Sequence, residues 1–128
     1  EGQIWEAAMC AGKYRLDNLV GIVDYNHLQI DGTVEEVMPL EPLGDRWASF
    51  GWNVIHIDGH NIERIDEAFR AAEDFKGKPT VVIAHTVKGK GVSFMENNVA
   101  WHGHPPVGED YVKARAELVA HLNELEGK

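Results

Sequence analysis

The sequence predicts an α/β fold in which a parallel sheet carries helices on both faces. Three observations predict it: helical and strand-like segments alternate along the chain, the strand-like segments are continuous apolar runs, and polar turns follow them. Strand–helix–strand repeats have right-handed crossovers, so the carboxyl ends of all strands lie on one edge of the sheet. Open α/β sheets bind their ligands at that edge.

The first half of the chain predicts two helices around one strand. Residues 2–14 are rich in Ala and Met and place small residues at helical spacing, which favours a helix packed closely on the sheet. Residues 19–25 form an apolar run that predicts the first strand. Residues 33–43 contain two prolines and predict an extended connection. Residues 43–50 then predict a short helix that ends at Gly51.

The second half predicts two more strands and two longer helices. Residues 52–58 predict the second strand, and Asn61 is a suitable N-cap for the helix that follows. Residues 80–87 are a β-branched run, typical of a strand buried on both faces. The glycine-rich residues 88–107 predict a long loop, either ordered at a site or flexible. An apolar stripe predicts a last helix over residues 109–125.

Composition excludes several classes of partner. The formal net charge of -9 argues against nucleic acid or an anionic membrane, because both would repel the chain. No apolar run approaches the roughly 18 residues that a membrane span needs. The only cysteine, Cys10, excludes an internal disulfide and favours a reducing cytoplasm, although an extracellular protein without disulfides stays open.

Polar groups at the predicted strand ends are candidates for a site. We expect Asn26, the turn at residues 58–61 and the start of the loop at Lys88 to lie in one neighbourhood. Asn26 either binds a ligand or bonds to its own backbone in a turn. The Lys-Gly-Lys-Gly segment at residues 88–91 is either a phosphate-binding loop or a solvated turn, since it lacks the full P-loop spacing. Two histidines in residues 101–106 are held by prolines, but the remaining histidines lack zinc-ligand spacing.

Several motifs in order along the chain point to one family. They lie at residues 1–8, 16–19, 23–32, 43–47, 50–52, 58–60, 88–96 and 101–103. Together they resemble the thiamine-diphosphate-binding domain of transketolases, in particular the amino-terminal subunit of the split, two-chain bacterial and archaeal enzymes. The resemblance implies the thiamine-diphosphate-binding fold. It also implies that residues 1–128 are a single partial domain, the carboxyl-terminal part of a diphosphate-binding domain without its upstream half.

The resemblance implies a metal and cofactor site. Asn26 matches the family's metal-binding Asn, with Tyr25 in place of a preceding Asn, and Leu28 matches the residue whose main-chain carbonyl is a second ligand. The family's Gly-Asp-Gly carboxylate would fall a few residues before Glu1, so we expect this third ligand outside the chain. Amide, carbonyl, carboxylate and diphosphate oxygens together suit Mg²⁺ or Ca²⁺, both of which are hard cations.

Other roles follow from the same resemblance. His102 matches a histidine at the cofactor and the reacting substrate, where an imidazole binds the diphosphate or a substrate hydroxyl and transfers protons. Glu1 and Glu6 match glutamates near the subunit interface, where they either link active sites through shared protons or support the structure. Lys88 and Lys90 either neutralise phosphate or form a solvated pair.

The implied function is part of a transketolase of the pentose phosphate pathway. Such an enzyme transfers a two-carbon glycolaldehyde unit from a ketose phosphate to an aldose phosphate through thiamine diphosphate. The implied partners are sugar phosphates and a pyrimidine-binding domain or subunit, in a cytoplasmic homo- or hetero-oligomer, and we expect the isolated chain to be inactive. Two alternatives stay open: an enzyme like 1-deoxyxylulose-5-phosphate synthase, and a non-catalytic fragment or scaffold that binds a partner chain.

Overall fold

The computed structural model describes residues 1–127 and divides into two compact units. The first unit contains Glu1–Tyr25 and Leu40–Thr86, and the second contains Asn26–Pro39 and the residues from Val87 onward. The helices and strands are α1 (Gly2–Tyr14), β1 (Val20–Tyr25), β2 (Leu28–Gln29), β3 (Gly32–Thr33), α2 (Val34–Val37), α3 (Leu43–Ser49), β4 (Asn53–Asp58), α4 (Ile62–Asp74), β5 (Thr80–His85) and α5 (Glu109–Leu125). A 3₁₀ turn covers Val99–Trp101.

The first unit is built on a parallel sheet with the strand order β1-β5-β4. The β-branched start of β5 has a strand on each side, and Thr80 through Ile83 are all at most 2% exposed. Val20 of β1 and Asn53 of β4 both pair with Thr80, so the three strands run in step and end together. The predicted parallel sheet is confirmed, and β5 is buried over its first four residues, whereas His85 at its end is exposed.

Helices cover both faces of this sheet. Gly21 and Val23 line a cavity together with Ile4 of α1 and Trp47 of α3, which places these helices on one face. Val20 instead lines a cavity with Phe69 and Ala72 of α4. Since alternate side chains of a strand point to opposite faces, α4 covers the other face. Of the face of α1 predicted to pack on the sheet, Ala8 and Ala11 are buried, whereas Ile4 and Ala7 are exposed.

Helix caps explain one correct boundary and one wrong prediction. The Asn61 side chain accepts a hydrogen bond from the Arg64 amide at 3.1 Å and begins α4 as predicted. The expected extended connection over residues 33–43 is wrong in its first part, which forms α2. There the Thr33 hydroxyl accepts from the Glu36 amide at 3.3 Å, and the Glu36 carboxylate accepts from the Thr33 amide at 3.1 Å. This reciprocal capping box starts a helical turn before either proline is reached.

The second unit consists of the β2–β3 hairpin, α2, the long loop and α5. The loop is ordered against α5, since the amide and hydroxyl of Ser93 donate to the two carboxylate oxygens of Glu117 at 2.6 and 2.8 Å. Helix α5 has the predicted bounds, but its expected apolar stripe stays exposed, and Ala114 is the residue of α5 that is buried. Among residues 1–127, no helix is both long and apolar enough to cross a membrane.

Candidate functional site

Four residues proposed from the sequence line one cavity of about 360 Å³ within the second unit. They are Asn26, Leu28, Lys88 and His102. Asn26 lies in the turn after β1, Leu28 lies in β2, and the long loop supplies Lys88 and His102. The remaining wall is formed by Gln29, Ile30, Asp31 and Val37.

Asn26 begins a tight turn immediately after β1. Its side-chain oxygen accepts a hydrogen bond from the Leu28 amide at 3.0 Å, and the intervening His27 has a positive φ of 63°. The turn role and the ligand role of Asn26 are compatible, because an amide oxygen carries two lone pairs and this bond uses one. The same oxygen therefore has a second position for a cation.

The hairpin register determines what Leu28 can offer. Leu28 pairs with Thr33, so Val34 lies opposite His27, and the Val34 amide donates to the His27 carbonyl at 2.9 Å. Hydrogen-bonded and non-hydrogen-bonded pairs alternate along an antiparallel ladder. The Leu28–Thr33 pair is thus a non-hydrogen-bonded one, and the Leu28 carbonyl points away from β3. It is free of the ladder and available to a ligand.

Lys88 is held by the fold of the loop behind it. The Asn97 amide donates to the Lys88 carbonyl at 2.9 Å, which closes residues 88–97 into a compact turn. Gly89 has a φ of 76°, and a Cβ at this position would overlap the Met95 carbonyl. Only glycine fits such a close approach with a left-handed backbone. The Lys-Gly segment at the cavity is therefore an ordered turn.

His102 is positioned through its neighbour Trp101. The Trp101 indole donates to the Phe94 carbonyl at 3.1 Å, and the two rings meet edge to face with centroids 5.3 Å apart. The His102 amide then donates to the Val99 carbonyl at 2.9 Å and closes the 3₁₀ turn. The His102 side chain itself is exposed, so it can reach a ligand in the cavity.

The cavity combines donors for a hard cation with groups for an anion. Asn26 and Leu28 offer neutral oxygens, Asp31 offers a carboxylate, and Lys88 offers an ammonium group. Within residues 1–127, no three His, Cys, Asp or Glu side chains come together as a metal-binding cluster. A cation bound here would complete its coordination with oxygens of its ligand, which is how Mg²⁺ binds with phosphates. The donor set fits a divalent cation that bridges to a diphosphate.

Other candidates lie outside this cavity. Glu1 lines a different cavity in the first unit with Trp5 and Trp47, and Glu6 is exposed on α1. The turn at residues 58–61 also belongs to the first unit, where its Asp58 carboxylate accepts from the His60 amide at 2.9 Å.

Lys90 does not line the same cavity as Lys88. It lines another cavity of the second unit, where its ammonium lies 3.7 Å from the Glu96 carboxylate. The cavity at Asn26 thus includes the start of the loop at Lys88, as expected, while Lys90 lines a different cavity of the second unit.

The wall residues Gln29, Ile30, Asp31 and Val37 do not follow from the sequence patterns. The segment from Asp31 to Gly32 indicates only a turn beyond the first strand. The feature that brings these residues to the cavity is a β-hairpin, in which two residues connect Gln29 to Gly32. A hairpin directly after Asn26 brings its own tip to the cavity wall. In addition, the Gln29 side chain donates to the Met38 carbonyl at 3.1 Å and ties the hairpin to the end of α2.

Comparison with known proteins gives a consistent result. Residues 1–123 match the family described as transketolase, thiamine diphosphate binding domain. An apulose-4-phosphate transketolase subunit of Phocaeicola vulgatus is 48% identical over 126 residues, which cover 98% of this chain and 45% of that protein. The 6-deoxy-6-sulfo-D-fructose transketolase subunit SqwG of a Clostridium species is 51% identical over 118 residues, with 92% and 43% covered. The chain thus spans less than half the length of these relatives.

Solved structures agree with the sequence relatives. Transketolase from Campylobacter jejuni superposes with a TM-score of 0.84 at 34% identity, over 92% of this chain and 18% of that one. Transketolase from Leishmania mexicana gives a TM-score of 0.83 at 29% identity, with the same shares covered.

Proposed function

Because the chain belongs to the transketolase family, through its thiamine diphosphate-binding domain, we propose that the cavity of the second unit holds the diphosphate end of thiamine diphosphate together with Mg²⁺ or Ca²⁺. The observation that carries this proposal is the shared cavity of Asn26, Leu28, Lys88 and His102. In this proposal residues 1–128 are the carboxyl-terminal part of a diphosphate-binding domain.

Asn26 and Leu28 are the proposed cation ligands. The second lone pair of the Asn26 amide oxygen and the ladder-free carbonyl of Leu28 bind the cation from the protein side. Two diphosphate oxygens and a carboxylate complete the shell of a hard cation. The hairpin and the turn before it hold both ligands on short, hydrogen-bonded backbone segments. Binding therefore costs less conformational entropy.

Lys88 and His102 act on the anionic and reacting groups. The Lys88 ammonium neutralises diphosphate charge that the cation leaves uncompensated, as lysines do in other phosphate sites. The exposed His102 imidazole donates a hydrogen bond to a substrate hydroxyl or moves its proton during turnover. When bound, thiamine diphosphate supplies the centre that stabilises a carbanion.

The proposed reaction moves a two-carbon glycolaldehyde unit from a ketose phosphate to an aldose phosphate, in the cytoplasm and in the pentose phosphate pathway. The relatives named as transketolase subunits support this reaction over that of 1-deoxyxylulose-5-phosphate synthase. They also support a partner, since a subunit implies a second chain. We propose a homo- or hetero-oligomer in which another domain or subunit binds the aminopyrimidine. Glu1, at the N-cap of α1, and Glu6 within α1 are the proposed contact to that neighbour.

Calorimetry tests the proposal. Thiamine diphosphate is titrated into the chain assembled with its pyrimidine-binding partner, once with Mg²⁺ and once with EDTA. We expect binding heat that requires Mg²⁺, because the cation joins the diphosphate to Asn26 and Leu28. Equal heat in EDTA would contradict the cation site. Absence of heat under both conditions would contradict cofactor binding and favour the non-catalytic alternative.

A further inference from the structure

His27 lies between the two proposed cation ligands and has a left-handed backbone, with a φ of 63°. An L-residue rarely adopts this conformation, because its Cβ approaches the following carbonyl oxygen. In residues 1–127 two other non-glycine residues have a positive φ, and each has a local reason. Arg15 caps the end of α1, and the third is Asn97, an amino acid that tolerates this region. Histidine, like asparagine, is enriched in this region, and at residue 27 the left-handed backbone lies inside the turn that the Asn26 side chain closes.

Two hydrogen bonds hold the backbone at His27 from opposite sides. The Leu28 amide donates to the Asn26 side-chain oxygen at 3.0 Å, which closes a turn over His27. The Val34 amide donates to the His27 carbonyl at 2.9 Å and fixes the turn to the hairpin. Neither bond uses the His27 side chain. Both bonds therefore act on the backbone path at residue 27.

The path brings the proposed ligands together. Two residues of extended chain span up to about 7 Å, whereas the turn brings the Asn26 oxygen to 3.0 Å from the Leu28 amide nitrogen, in the residue whose carbonyl is the other proposed ligand. A cation at about 2.0–2.6 Å from each of its oxygens requires its ligands to be close neighbours. An extended residue at position 27 would open this spacing and remove the bond between Asn26 and Leu28.

We infer that His27 is a positioning residue, whose left-handed backbone sets the spacing of Asn26 and Leu28 before the cation arrives. The inference rests on the proposed function, because it assigns that spacing to cation binding. When the ligands are already in place, cation binding orders fewer backbone and side-chain torsions and therefore costs less entropy. This gain offsets the backbone strain at His27, which by itself destabilises the fold.

Substitutions at His27 separate the backbone from the side chain. His27→Asn removes the imidazole but tolerates a positive φ, so its affinity for thiamine diphosphate with Mg²⁺ is expected to stay within about twofold of the parent. His27→Val is β-branched and disfavours this conformation, so a loss of about tenfold is expected. His27→Ala should fall between them and serves if the Val variant does not fold. His121→Val, at an exposed position of α5, is the control and should bind as the parent does.

A second readout needs no cofactor. Hydrogen exchange of the Leu28 amide reports the bond to Asn26, and we expect it to accelerate in His27→Val and to stay slow in His27→Asn. Equal weakening of binding in the Asn and Val variants would overturn the inference, because the side chain would then be responsible. Parent-like binding by His27→Val would also overturn it. Parent-like binding by Asn26→Ala would instead contradict the proposed function, so the two failures are distinguishable.

Discussion

The Asn26 amide oxygen lies directly after β1 and has one structural function and one proposed function. The oxygen fixes the turn through the Leu28 amide and, in the proposal, binds a cation with its other lone pair. Asn26 is identifiable from the sequence because it directly follows an apolar run that predicts a strand, although β1 itself is an edge strand in which Ile22 is 62% exposed. Asp31 is not identifiable in the same way, because its place on the cavity wall depends on the β2–β3 pairing.

Substitution of Asn26 tests the ligand role. Asn26→Ala in the assembled enzyme should weaken Mg²⁺-dependent binding of thiamine diphosphate by about tenfold to a hundredfold, because one hard oxygen ligand is lost. Calorimetry measures the change. Asn18→Ala, in the first unit, removes the same amide elsewhere and should bind as the parent does. Unchanged affinity of Asn26→Ala would contradict the assignment.

His102 provides a test that separates substrate from cofactor. If its imidazole acts on the substrate, His102→Ala should lower kcat by about a hundredfold and change cofactor affinity much less. Steady-state kinetics and calorimetry on the same preparation give both values. His104→Ala removes a second exposed imidazole from the same loop and should leave both unchanged. Equal losses for His102→Ala would place the imidazole on the diphosphate.

At the level of elements, the turn at Gly89 holds Lys88 at the cavity. Gly89 and Gly103 have nearly the same φ, 76° and 75°, but a Cβ would overlap the Met95 carbonyl at Gly89 and would meet open space at Gly103. Because of the left-handed φ, a Gly→Ala substitution should cost about 1–2 kcal/mol of stability at either position. The overlap with the Met95 carbonyl should add to this cost at Gly89. Chemical denaturation measures both variants. Equal destabilisation would show that the contact with Met95 contributes nothing.

The elements also show where sequence patterns reach their limit. β5 and the Asn61 cap are predictable, because a β-branched run and a capping side chain act locally. The bounds of α5 are predictable as well. The helical periodicity of its apolar residues does not predict which surface they pack against, and within residues 1–127 these residues are exposed. The α2 turn differs from the extended connection that its two prolines predict, although the Thr33–Glu36 capping box that begins it is a local signal present in the sequence.

At the scale of the whole molecule, we propose that the hairpin and loop of the second unit form the part of a cofactor site that binds the diphosphate. The chain spans 45% of a relative that is named as a transketolase subunit. Family membership follows from the sequence. We propose that this chain brings Asn26, Leu28, Lys88 and His102 to the site, and that a partner domain or subunit brings the groups around the aminopyrimidine.

A cation located in the assembled enzyme tests this claim most directly. Crystals grown with thiamine diphosphate and Mn²⁺ in place of Mg²⁺ would reveal the cation by its anomalous scattering. We expect an anomalous peak at coordination distance, about 2.0–2.6 Å, from both the Asn26 side-chain oxygen and the Leu28 carbonyl oxygen. A peak at the acidic cavity lined by Glu117 and Glu124 instead, or cofactor bound without any peak near Asn26, would contradict it.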